Sequence, residues 1–196
     1  KLLKMIKKTR IYINTNLSIY VNTLLNLLFK NKLQKIFLKD LKKFLNTKNL
    51  ILCSQGRVAV YNIVKVVIKN DKNEILISPY TLPEVISAII YAGGKPKYID
   101  INHKTGLPDE KKLVKLISNK TAGLIITHLY SNNKDIVRFK KNIPKNINII
   151  EDTAINLGAE LNNGKKLGTI FDYGFYSFGI MKNLCAFNGG LVYSKN

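Results

Sequence analysis

The sequence predicts an α/β domain with a mostly parallel sheet and helices on both faces. Three observations carry this. From residue 51 onward, short apolar runs alternate with stretches of helical periodicity. Turn residues punctuate the junctions. The length of 196 residues suits one good-sized domain and its core.

The elements follow in order. Phe29, Leu33, Phe37, Leu41 and Leu45 recur at four-residue steps with lysines between them, which predicts a basic amphipathic helix. Such a helix can lie on a membrane surface or pack on its own domain or a partner subunit. The uncharged run Ile11 to Phe29 before it resembles a membrane span in length, but Asn14, Thr15, Asn16, Ser18, Asn22, Thr23 and Asn26 interrupt it and argue against one. The predicted division is a basic N-terminal arm with the amphipathic helix over residues 1–45 and a large domain over 46–196. Strands are predicted at Glu74–Ser78, Pro96–Asp100, Gly123–Thr127, Ile147–Ile150, Gly174–Phe178 and Gly190–Ser194, and helices at Gly56–Lys69, Pro83–Tyr91 and Asp109–Ser118. The chain starts at Lys1 and stops after an apolar strand-like run, so a fragment of a longer protein is expected.

Charge is +20, from 32 Lys plus Arg against 12 Asp plus Glu, and residues 1–50 hold +11 of it. Such an excess attracts phosphate-bearing partners or anionic membranes. The abundance of Ile, Asn and Lys throughout favours compositional drift, and nothing in the arm interleaves aromatic and basic residues as nucleic-acid binding would. Cys53 and Cys185 make neither a disulfide framework nor a metal spacing, which fits a reducing, cytoplasmic setting.

In a parallel sheet, ligands gather at the carboxyl ends of strands, and three features fall there. Ser54-Gln55-Gly56-Arg57 opens a helix after Leu50-Ile51-Leu52, and its free N–H groups suit a phosphate, although a Ser-x-Gly turn is more often only a cap. Asp152, after the INII run, can cap the next segment, bind a metal or hold a proton on a heterocyclic nitrogen; no ligand partners at metal spacing support the second. Lys182 lies between the Tyr176-Ser177-Phe178 strand end and Gly189-Gly190, where a crevice would desolvate its amine and favour a Schiff-base role.

Taken together, the blocks CSQGRVAVY, ISPYTLPEVISAIIYAGGKPKYIDI, TAGLIITHLYSNN, IIEDTAINLGAEL, KLGTIFDYGFYSF and MKNLCAFNGG resemble, in order and spacing, the DegT/DnrJ/EryC1/StrS sugar aminotransferases of pyridoxal-phosphate fold type I. The resemblance covers roughly residues 35 to 196. It implies the fold-type-I large domain, pyridoxal 5'-phosphate as cofactor, a nucleotide-linked keto sugar as substrate, an amino donor that is usually glutamate, and a homodimer. The products would feed aminosugar and surface-polysaccharide synthesis. It further implies Lys182 as the Schiff-base lysine, Asp152 as partner of the pyridinium nitrogen, Ser177 with Gly56 and Arg57 at the cofactor phosphate, and His128 and Tyr130 near the site. Family members continue into a smaller C-terminal domain. Two positions depart from the pattern. Ile155 stands where a glutamine bonds the cofactor's phenolic oxygen, with Asn156 next to it, and Leu82 stands where an aromatic stacks on the ring, leaving Tyr80 to replace it. The alternatives are another pyridoxal-phosphate reaction on the same fold, or a non-catalytic basic binding module. The family's dehydratases carry histidine in place of the lysine, so Lys182 argues against that branch.

Overall fold

A computed structural model describes residues 17–26, 30–129 and 133–195. The elements are α1 (Leu17–Asn26), α2 (Lys30–Phe44), β1 (Leu50–Cys53), α3 (Gly56–Val67), β2 (Glu74–Ile77), α4 (Pro83–Tyr91), β3 (Lys95–Tyr98), α5 (Glu110–Leu116), β4 (Thr121–Thr127), α6 (Asn133–Lys140), β5 (Asn148–Asp152), β6 (Tyr173–Ser177) and β7 (Gly190–Ser194). The strands form one sheet in the order β1-β7-β6-β5-β4-β2-β3. Neighbours from β3 to β6 run parallel, and β7 runs antiparallel to both β6 and β1. The prediction of a mostly parallel sheet is met, with β7 as the reversed strand.

Alternation along the strands sorts side chains to two faces. Ile75, Ile77, Ile125, Ile150 and Phe175 pack against Ala59, Val60, Ile63 and Val64 of α3 and Val85, Ala88 and Ile89 of α4. Leu76, Leu124, Ile126 and Ile149 meet Leu113 of α5 and Ile136 and Phe139 of α6 on the other face. Asp109 caps α5, its carboxylate accepting from the Lys111 and Lys112 N–H groups. α4 opens with Pro83, whose missing N–H costs nothing in the first turn.

The amphipathic helix is present as α2. Its burial rises toward the C-terminal end: Leu33 is exposed, Phe37 is half-buried, and Leu41 and Leu45 are buried against Tyr176, Phe178, Leu191 and Tyr193. Phe37 meets the Phe178 ring edge to face with centroids 5.6 Å apart. The intramolecular packing foreseen for this stripe is therefore realised over its second half; Phe29 lies outside the described residues. No described helix is long and apolar enough to cross a membrane.

Candidate active site

Because β4, β5 and β6 run parallel, Thr127, Asp152 and Ser177 end them at one edge of the sheet. β7 is reversed, so its first residue, Gly190, lies at the same edge, paired with Ser177 and with Cys53 of β1. Five strand ends thus converge on one crevice.

The crevice has two lobes. The first, of about 300 Å³, is walled by Tyr80, Thr81, Thr127, His128, Asp152 and Ile155, among others. The second, of about 250 Å³, is walled by Gln55, Gly56, Arg57, Ser177, Gly179 and Asn188, among others. Lys182, Leu82 and Ala154 line both. Of the residues singled out in the sequence, Tyr80, Asp152 and Lys182 share the first lobe, and Gly56, Arg57, Ser177 and Lys182 share the second. Tyr130 lies outside the described residues.

The second lobe is shaped by close backbone approach. A Cβ on Gly56 would stand 2.9 Å from Ser177 Cβ, so only glycine lets the start of α3 lie against the end of β6. Val58 and Ala59 N–H groups both donate to Gln55 O, which leaves the Gly56 and Arg57 N–H groups as the leading donors of α3. With the Ser177 hydroxyl and the Arg57 guanidinium beside them, they suit a phosphate group.

In the first lobe, Asp152 is buried, and burial pushes its carboxyl above the usual carboxylate range. The Ala154 N–H, donated at 3.0 Å, and the charges of His128 and Lys182 work in the opposite direction. A buried carboxylate facing a cavity suits a cationic heterocyclic nitrogen, which would pair its charge. Thr81 Oγ1 and Thr127 Oγ1 are buried without a hydrogen-bond partner, so the lobe's wall holds unspent polar capacity. The residues present therefore fit the two parts that pyridoxal phosphate would bring, a ring with a cationic nitrogen and a phosphate. Among the described residues no group of three or more His, Cys, Asp or Glu side chains stands together as a metal ion's ligands would.

The two departures have structural counterparts. Asn156 does not line the cavity; its amide nitrogen donates to the His128 carbonyl. Ile155 lines the lobe with an apolar side chain. Leu82 lies between the lobes and Tyr80 flanks the first, so Tyr80 stands where an aromatic can face a ring.

Sequence reasoning did not find the pairing of Glu151 with His128. Glu151 is fully buried; Oε1 lies 3.1 Å from His128 Nε2 and accepts from Gly168 N at 2.8 Å, while Oε2 accepts from Ile170 N at 2.8 Å and Phe171 N at 3.0 Å. The partners are far apart in sequence, and no local pattern announces them.

The chain is 32% identical over 125 residues to a UDP-4-amino-4,6-dideoxy-N-acetyl-beta-L-altrosamine transaminase of Campylobacter jejuni, covering 62% of this chain and 33% of that protein. It is 25% identical to a GDP-perosamine synthase of Vibrio cholerae, over 80% of this chain and 43% of that protein. The chain thus spans between a third and a half of these relatives. Among solved structures, an Escherichia coli GDP-4-keto-6-deoxy-D-mannose-3-dehydratase with bound hydrated PLP superposes with a TM-score of 0.79 at 20% identity, covering 98% of this chain and 52% of that one. An aminotransferase from Psychrobacter cryohalolentis gives 0.75 at 21%, covering 95% and 49%. These likenesses fix the fold as that of the fold-type-I transferases. The model of the DegT/DnrJ/EryC1/StrS aminotransferase family matches residues 24–196, and the chain belongs to that family.

Proposed function

We propose that this chain carries the cofactor site of a pyridoxal-phosphate-dependent aminotransferase acting on a nucleotide-linked keto sugar. The observation that carries the reading is the place of Lys182, at the junction of a lobe ending in a buried carboxylate and a lobe lined by helix N–H groups and a serine. The bound cofactor supplies an electron sink for the electrons of a broken C–H bond, provided its ring nitrogen keeps a proton.

The chain's own residues do the rest. Asp152 holds that proton on the ring nitrogen by pairing its charge. The Gly56 and Arg57 N–H groups and the Ser177 hydroxyl hold the phosphate, and Tyr80 flanks the ring. Lys182 Nζ would hold the cofactor and would also serve as the base that moves a proton at the reacting carbon. The names of the relatives, a UDP-sugar transaminase and a GDP-perosamine synthase, support a nucleotide-linked sugar as acceptor. Glutamate as donor, a homodimer and a cytoplasmic location complete the proposal. The products would serve aminosugar and polysaccharide synthesis. A basic arm that contacts anionic membranes through residues 1–45 is compatible with it.

The test is reductive trapping. The purified chain is incubated with pyridoxal phosphate, reduced with borohydride and mapped by peptide mass. With 32 basic residues of which three are arginine, mapping has to distinguish Lys182 from many competitors. A dominant adduct at Lys182, absent from Lys182→Ala, is expected. Adducts scattered over residues 1–50 with Lys182 unlabelled would overturn the reading.

A further inference from the structure

Glu151 sits directly behind the site and is spent entirely on holding other groups. Its two oxygens meet four nitrogens: three backbone N–H groups of the 168–171 turn and His128 Nε2. Backbone N–H groups only donate, so Glu151 accepts three of the four bonds; in the fourth, an ionised carboxylate takes its hydrogen from His128 Nε2. His128 is fixed at its backbone as well. Its N–H donates to Asp152 O at 3.0 Å, and its carbonyl accepts from Asn156 Nδ2. His128 is buried and is among the residues that line the first lobe with Asp152.

We propose that Glu151 and His128 are positioning residues for Asp152, with Glu151 fixing the His128 ring through Nε2–H so that the imidazole stands as a countercharge beside the Asp152 carboxylate. The proposal rests on the cofactor reading above and extends it one tier outward, to residues that need not touch the cofactor. Its physical motive is the burial of Asp152, which works against the charge that a protonated ring nitrogen requires. Histidine and lysine charges pull the other way. Of the two, Lys182 is committed to the cofactor in the reading above, which leaves the His128 ring as the group assigned to Asp152. Two further titratable groups bear on the pair: Tyr176 of β6 and Tyr193 of β7 both feel the Glu151 charge, and the Tyr176 hydroxyl donates to Leu167 O at 2.8 Å.

Two measurements test this. The chain has two histidines, so long-range proton–nitrogen NMR of the cofactor-free protein can assign both rings. On the acid side a His128 ring protonated at both nitrogens is expected, with Nε2–H held toward Glu151 and the ring losing this fixed state in Glu151→Gln; a neutral ring at that pH, or one protonated at Nδ1 alone, would overturn the proposal whether or not cofactor binds. The second measurement is pyridoxal phosphate affinity against pH. His128→Asn keeps the three backbone bonds to Glu151, so it separates the charge from the folding role of the turn. It should weaken binding about fivefold on the acid side, where Asp152 takes up its proton earlier, and change it little in alkali. A uniform loss at every pH, or none, would overturn the proposal. A His128 ring fixed as expected, with no dominant Lys182 adduct in the unaltered chain, would instead overturn the cofactor reading and this proposal with it, a result distinguishable from failure of the pair alone.

Discussion

Gly56 and Ser177 touch: a side chain on the first would reach within 2.9 Å of Cβ on the second. The contact joins the start of α3 to the end of β6 and sets the width of the second lobe, where the proposed function puts the phosphate.

Gly56→Ala should therefore widen that lobe. Alanine suits a helix better than glycine, so local propensity favours the change, yet the collision forces α3 and β6 apart. Pyridoxal phosphate affinity is expected to fall about tenfold or more, equal to about 1.4 kcal/mol. An absorbance titration checks it; unchanged affinity would show that the phosphate lies elsewhere.

Asp152→Asn should separate stability from function. Burial raises the folded-state value of this carboxyl above its ordinary 3.8, so the folded protein binds the proton more tightly than the unfolded chain does. Stability from this group is greatest in acid and is lost as pH rises through the raised value. Asparagine removes the buried charge while keeping an oxygen for the Ala154 N–H. The cofactor-free variant is expected to melt higher than the unaltered chain at neutral pH, by about 2–4 °C for each kcal/mol recovered, with the gap closing in acid. Cofactor binding should fall in the same variant. Melting curves at two pH values decide it.

Leu45→Ala should loosen α2. Leu45 is 1% exposed and packs with Tyr176 and Phe178, the residues on either side of Ser177. A cost of about 2–5 kcal/mol is expected in denaturant unfolding. If the loss is under about 1 kcal/mol, α2 contributes little to the body of the domain.

Gly168→Ala should unseat the turn that holds Glu151. Gly168 has φ +88°, and a Cβ there would stand 2.6 Å from Thr153 Oγ1. Both strain and collision act, so a loss of about 2 kcal/mol or more is expected. Thermal unfolding measures it.

The sheet was legible because Ile75, Leu76 and Ile77, and Ile149 and Ile150, are apolar on both faces and flanked by turn residues. β1 was visible only as the apolar run before the Gly56 turn, since a four-residue edge strand carries too little pattern. α6 was missed because only Ile136 and Phe139 mark its buried side within a polar stretch. The reversed direction of β7 has no sequence signature. At the site, Asp152 and Lys182 were named by motif and share the first lobe, and Ser177 and Gly56 share the second. Thr81, Thr127 and Glu151 escaped because their significance lies in contacts, or missing contacts, across strands.

The reversed β7 also dictates a sequence of events. In the described sheet β1 pairs with β7 alone, Leu50 opposite Tyr193, so the earliest strand finds its partner only in the latest one. On a ribosome, β2, β4, β5 and β6 can assemble as they emerge, with α3 packed on them, while β1 waits for residues 190–194. The crevice edge where Cys53 faces Gly190 is consequently closed only after Lys182 has emerged.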